Sequence, residues 1–241
     1  MTVRRGPALV LVAALVGAAL MLSVLGREGR SMPPRPPGER PALLLLTSLP
    51  LVFGEQFSLE GGGSPALTAL ETRYDVRPIA VADPAELAKG RLLLMAHAAA
   101  QPAEDLVALD DWIRHGGRVL LLVDPMLEWP SSRPFGDPLR PSPMFVDTGL
   151  LAHWGLRLEA PARRGREPRR LAGYDVLTDS PGSLAGGCEV GAAGFAAHCA
   201  IGKGSVTIIA DADFLDAKRL GAPASNNLDA LLAELARLEQ P

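Results

Sequence analysis

Two segments constrain what this chain can fold into. Residues 110–118 close a helical pattern on Gly116-Gly117 and run into the apolar stretch 119–123, which stops at Asp124-Pro125. Residues 202–204 form a Gly-Lys-Gly turn that feeds a second apolar stretch, 206–210, which stops at Asp211 and Asp213. An apolar strand ending on a carboxylate marks the carboxyl edge of an open α/β sheet, where such folds place their binding crevice.

Much of the remaining chain alternates strand and helix around these two segments. The run 43–48 is continuously apolar up to Thr47-Ser48, as expected for a parallel strand buried on both faces. Gly61 to Gly63 lead to Ser64-Pro65, an N-cap followed by proline at the first helical position, and that helix ends near Tyr74. Residues 76–79 read as a short strand whose Pro78 assigns it to a sheet edge. Residues 92–97 form another buried strand, ending at His97. Residues 102–115 form an amphipathic helix with Leu106, Leu109, Trp112 and Ile113 on one face. The order βαββαβ predicts an open, mostly parallel, doubly wound sheet. Residues 127–144 are rich in Pro and Ser and read as a long loop, and 163–170 (RRGREPRR) as a basic one. Residues 150–156 read as a short helix, a glycine cap and a strand. The turn at 202–204 joins two strands as a C-terminal β-hairpin. The last helix spans 225–238, with Asn226 and Asp229 placed for a variant capping box.

Residues 7–26 carry no charge, which is enough chain to cross a bilayer as a helix. A cleaved signal peptide is the competing reading, but the run exceeds the usual h-region of about 7–15 residues and no A-x-A site follows. The chain thus divides into a cytoplasmic N-terminus (1–6), one transmembrane signal anchor (7–26), a Pro-rich linker (27–41) and an α/β domain (42–239). Arg4 and Arg5 before the anchor keep the N-terminus inside, which places the domain in the periplasm of a bacterial inner-membrane protein. Five prolines between positions 31 and 41 favour an extended spacer that holds the domain off the membrane. A net charge of -3 with 5% aromatics offers neither the basic face nor the stacking platform of a nucleic-acid binder.

Three segments together resemble a known family. The helix–Gly-Gly-Arg–strand–Asp-Pro pattern is one, and the leucine-rich step ending at Trp154-Gly155 is another. The third is the ending Gly-x-Gly-x-Val, strand, Asp211-x-Asp213, Asn227, helix. This combination resembles the class I glutamine-amidotransferase-like domain of gliding-motility-type ABC transporter auxiliary components, over residues 41–238. The resemblance implies a flavodoxin-like domain and, as partners, the permease and ATPase subunits of an ABC-type system. Members of this branch generally lack the catalytic cysteine. Here the strand end offers His97 followed by alanines, with no Cys or Ser. The expectation is therefore a non-enzymatic auxiliary component.

Its crevice is expected around Ser48, His97, Asp124, Asp211, Asp213 and Asn227, and would take a partner loop or a small polar ligand. Two alternatives stand beside it: a hydrolase or sugar-modifying enzyme using His97 with Asp124 or Asp211 as acid and base, and a structural envelope protein. Cys188 and Cys199 are the only cysteines. They can pair across a hairpin in an oxidising compartment, or remain free thiols. Adjacent strand residues face opposite sides, so His198 and Cys199 make no catalytic dyad. No metal-ligand spacing links the histidines. Lys203 is followed by glycine, so Gly202-Lys203-Gly204 is no phosphate loop. The sequence calls for no metal and no cofactor.

Overall fold

The computed structural model describes residues 31–54 and 63–240. The expected N-terminus, the signal anchor, the first residues of the linker, and Gly61 and Gly62 lie outside the described residues. Among the described residues no helix is long and apolar enough to cross a membrane.

The chain is a mixed α/β structure around one seven-stranded, mostly parallel sheet. In chain order the elements are β1 (Ala42–Thr47), α1 (Pro65–Glu71), β2 (Asp75–Pro78), α2 (Pro84–Leu87), β3 (Leu92–Ala96), α3 (Ala103–Arg114) and β4 (Arg118–Leu122). Then come α4 (Leu150–His153), β5 (Leu156–Glu159), β6 (Arg166–Leu171), β7 (Tyr174–Asp179), β8 (Ser183–Gly186) and β9 (Glu189–Val190). β10 (Ala196–Ile201), β11 (Gly204–Ile209), α5 (Ala217–Leu220) and α6 (Asn227–Glu239) complete the chain. The strand order is β2-β1-β3-β4-β11-β10-β9. β2 through β11 pair in parallel, and β10 and β9 continue antiparallel. The expected hairpin is β10–β11.

The continuous apolar runs are explained by two-sided burial. Leu43 and Leu45 of β1 face one layer while Leu44 and Leu46 face the other. In β4, Leu120 and Leu122 turn to the first layer, Val119 and Leu121 to the second. The first layer holds α1 and α6, through Leu67, Leu70, Leu231 and Leu235, with Leu171 and Tyr174 of the β6–β7 ribbon. The second holds α2, α3 and α4, through Leu87, Leu109, Ile113 and Leu151, with the β5–β8 pair.

Local signals act as their chemistry requires. Ser64 Oγ accepts the Leu67 amide at 3.1 Å and Pro65 opens α1. Gly116, at φ 109°, ends α3 in the left-handed region. Gly204 lets β11 pass under α3: a Cβ there would lie 2.2 Å from the carbonyl oxygens of Gly117 and Ile113.

Three expectations change. The basic stretch 163–170 is not all loop, since from Arg166 it is strand β6, paired antiparallel with β7. Asn226 makes no side-chain cap; its amide instead donates to the Asp175 carbonyl at 3.4 Å. The described segment of the linker lies along the domain instead of standing off it. Arg35 pairs with Glu239 at the end of α6 at 2.8 Å and lies 5.5 Å over the Tyr74 ring, and Ser31 Oγ donates to Asp229 at 3.0 Å. Proline-rich chain, already extended, loses little entropy when fixed in this way.

Candidate functional site

Strands β1, β3, β4 and β11 end on one edge, and the predicted site residues gather there in two groups. Ser48 and His97 stand at the ends of β1 and β3. His97 is buried with φ 46°, a left-handed conformation uncommon for a residue with a side chain. Its carbonyl accepts Ser48 Oγ at 2.5 Å. Its ring Nε2 lies 2.9 Å from the Ser142 carbonyl, so Nε2 carries the hydrogen. Nδ1 is buried without a hydrogen-bond partner. Burial holds the His97 imidazole below its ordinary pKa, and the Ser142 carbonyl opposes that only in part.

The second group is a nest of carboxylates under strands β4 and β11. Asp124 accepts the amides of Met126 and Ala212, both at 2.9 Å, and of Asp213 at 3.4 Å. Asp211 accepts the Phe214 amide at 2.7 Å and the Asp179 amide at 3.3 Å. Asp213 accepts the Glu128 amide at 2.7 Å. Arg219 of α5 reaches in to Asp179 at 2.6 Å and Asp213 at 2.7 Å. All three carboxyls are raised, chiefly by burial: Asp124 to about 6, Asp213 to about 7, and Asp211 well above the usual range, with its acidic neighbours adding to the effect. Asn227, at the start of α6, accepts the Leu177 amide at 2.9 Å and donates to the carbonyls of Leu177 and Phe214 at 2.7 and 2.8 Å.

These contacts change what the crevice can do. The segment between β4 and α4 folds back over it as a strap. Leu127 N–H reaches the Pro143 carbonyl at 2.9 Å and Phe145 N–H the Asp124 carbonyl at 2.6 Å. The strap covers His97, and backbone amides and Arg219 engage the carboxylates. Asp124, Asp211, Asp213 and Asn227 therefore lock loops to strand ends and present no oxygen to an open crevice. The described hydrogen bonds join His97 to neither Asp124 nor Asp211, so the expected acid–base pair is not assembled. Among the described residues no group of three or more His, Cys, Asp or Glu is placed to hold a metal ion.

What stays open is one flank of the edge. A cavity of about 330 Å³ lies between the ends of β1 and β2 and the strap, lined by Thr47, Ser48, Pro50, Phe53, Arg133 and Leu139 among others. Ser48 is the one predicted residue that reaches it. Arg133, which pairs with Asp137 at 3.5 Å, was not foreseen, because nothing in a loop's sequence says which of its arginines turns inward. Arg219 escaped notice for a similar reason, since its role depends on Asp179 and Asp213, which meet only in the fold.

Cys188 and Cys199 form a disulfide with a Cα–Cα distance of 4.9 Å, which ties the turn before β9 to β10. Cys199 faces the α3 layer, while His198 faces α6 and contacts Arg237 and Thr207. Burial and the neighbouring Arg237 hold the His198 imidazole below its ordinary pKa.

Comparison with family models and with curated proteins gave no match. Solved structures do match. An exo-β-1,4-mannosidase from Opitutaceae bacterium strain TAV5 aligns at TM-score 0.51 and 9% identity, over 83% of this chain and 36% of its own. A β-galactosidase from Rahnella sp. R3 aligns at TM-score 0.45 and 10% identity, over 84% of this chain and 32% of its own. One from Bacillus circulans sp. alkalophilus aligns at TM-score 0.44 and 12% identity, over 83% and 31%. The chain spans about a third of the length of these enzymes. At such identities the likeness concerns the fold alone. It nevertheless corrects the expectation of a non-enzymatic domain, which rested on the missing Cys or Ser at position 97. The fold is carried within a glycoside hydrolase, so an absent nucleophile at one strand end is no ground for excluding catalysis.

Proposed function

We propose that this chain is a membrane-anchored auxiliary component of an ABC-type transport system. Its domain would be flavodoxin-like, of the class I glutamine-amidotransferase-like kind, and would receive a partner's loop or a small polar ligand at the carboxyl edge of the sheet. The observation that carries this reading is the open cavity beside Ser48 and Arg133. It lies at the ends of β1 and β2, close to the β1/β3 boundary where the chain winds in opposite directions. Open α/β sheets bind their ligands at such a switch point, and the order β2-β1-β3-β4-β11 matches the flavodoxin sequence of strands. A largely apolar wall with two hydroxyls and one guanidinium suits a peptide side chain or a small anionic group better than a metal ion. The uncharged run 7–26 and the three family-like segments support the location and the transport role.

Purification of the tagged full-length chain in mild detergent, with mass spectrometry of what accompanies it, tests this directly. Stoichiometric recovery of an ABC permease and ATPase is expected, reduced when the cavity is filled by Ser48→Trp. Recovery of the chain alone would overturn the auxiliary role.

A further inference from the structure

The large apolar side chains that remain exposed are not scattered. Six are exposed among the described residues: Phe53, Val107, Phe135, Leu139, Met144 and Val146. All but Val107 lie in the loops that follow β1 and β4, on the carboxyl edge of the sheet. Phe135 is 84% exposed and Phe53 79%. Phe53 and Leu139 line the same cavity, Arg140 lies 4.2 Å over the Phe135 ring, and Met144 and Val146 flank Phe145, whose amide donates to the Asp124 carbonyl. Arg133 and Arg140 stand among them. The exposed Arg163 and Arg164 precede β6, next to the end of β7, which abuts Asp211 at this same edge. An edge that carries several exposed apolar side chains among arginines has the chemistry that a lipid headgroup layer complements.

The start of the described chain says which surface covers it. Ser31 bonds to Asp229 in the first turn of α6. That turn sits at the carboxyl edge, because Asn227 beside it binds the Phe214 carbonyl just beyond β11. From Ser31 the linker runs back along α6 to Glu239, and enters β1 at the opposite edge. The chain thus leaves the domain on its apolar edge. Only residues 27–30 separate Ser31 from the uncharged run that ends at Gly26. Extended chain covers at most about 3.6 Å per residue, so Ser31 lies within about 18 Å of the end of that run. A tether this short cannot hold the domain clear of the surface it enters.

We propose that the carboxyl edge rests on the bilayer spanned by residues 7–26, with Phe53, Phe135, Leu139 and Met144 in the headgroup layer and Arg133 and Arg140 on its phosphates. This inference rests on the membrane-anchored reading above. It replaces a domain held off the membrane with one laid against it.

The test uses the full-length chain in vesicles of phosphatidylethanolamine and phosphatidylglycerol that carry a headgroup-level quencher. A fluorophore is attached to a single added cysteine at Leu139 or, as control, at Lys89 on the opposite edge; the native cysteines are paired and do not label. Several-fold stronger quenching at Leu139 than at Lys89 is expected, and it should fall toward the control in a Phe135→Ser/Met144→Ser background. Equal, weak quenching at both positions in a chain that floats with carbonate-washed vesicles would overturn the docked edge and leave the anchor standing. A chain that does not float would overturn both. Protection of Leu139 only in native membranes, with none in lipid vesicles, would assign the surface to a membrane-embedded protein and overturn the lipid assignment.

Discussion

The backbone amide of Asp213 points at the carboxylate of Asp124, 3.4 Å away, and the carboxylate of Asp213 in turn takes the amide of Glu128, four residues beyond Asp124. Two strand ends are thereby stitched to one another's outgoing loops. Both carboxyls are desolvated in the process, and this has a consequence for pH.

Folding raises Asp124 to about 6 and Asp213 to about 7. The folded chain therefore holds these protons more tightly than the unfolded chain, where an aspartate titrates near about 4. The stabilisation is complete below that unfolded value and is lost as the pH rises through the folded ones. Asp110 and Glu167 are shifted downward, so their contribution is lost only in more acidic solution. His97 and His198, held below their ordinary value, act in the opposite sense until the pH passes about 6.5, so the urea midpoint should fall between about pH 6.5 and about pH 8, and Asp124→Asn should flatten that slope. A midpoint that rises over this range would contradict the account.

Asn227 satisfies one amide and two carbonyls of a buried junction. Asn227→Ala strands these groups away from water. With about 1–3 kcal/mol for each buried polar group left unpaired, the loss should be about 3 kcal/mol or more in chemical denaturation. A change below about 1 kcal/mol would mean that water replaces the side chain.

The disulfide closes a loop with a sequence separation of 11. On loop-closure entropy alone its removal should cost about 3 kcal/mol. The double variant Cys188→Ser/Cys199→Ser should unfold at lower urea than the oxidised parent and match the reduced parent. Equal midpoints for oxidised and reduced protein would mean that β9 and the turn before it hold β10 without the bond.

Gly204→Ala places a methyl group 2.2 Å from two carbonyl oxygens, and neither β11 nor the end of α3 can shift without disturbing the sheet. The variant should lose about 3 kcal/mol or fail to accumulate. Gly38→Ala, where a Cβ meets nothing within 4 Å, is the matched control and should be near neutral. Parallel behaviour of the two in thermal melts would show that the β11–α3 approach is looser than described.

Much of the sheet was legible because its strands are buried on both faces. Residues 43–48, 92–97 and 119–123 each read as strand from an unbroken apolar run, and Pro78 marked an edge, as β2 is. The β6–β7 ribbon was not legible. Arg166, Arg169 and Arg170 lie along β6 with an interposed Pro168, and strands so exposed carry no apolar alternation to read. Strand-end logic named Ser48, His97, Asp124 and Asp211, which lie along one edge of the sheet, with Ser48 alone of these lining the open cavity. What it could not reveal was the strap. Residues 127–144 have no periodicity, and only the fold shows that Ser142 and Glu128 return to His97 and Asp213. Candidate ligands for a guest became fastenings for the chain itself.

The linker that doubles back along α6 also bears on how the domain answers mechanical load. Tension entering at Ser31 would meet the Ser31–Asp229 contact first, then the Arg35–Glu239 pair, before reaching β1 at the far edge. These contacts open in succession, like a zipper, so the linker yields by peeling while the sheet's hydrogen bonds remain unloaded. Those few residues would act as a mechanical fuse, which gives and reseals while the domain keeps its fold.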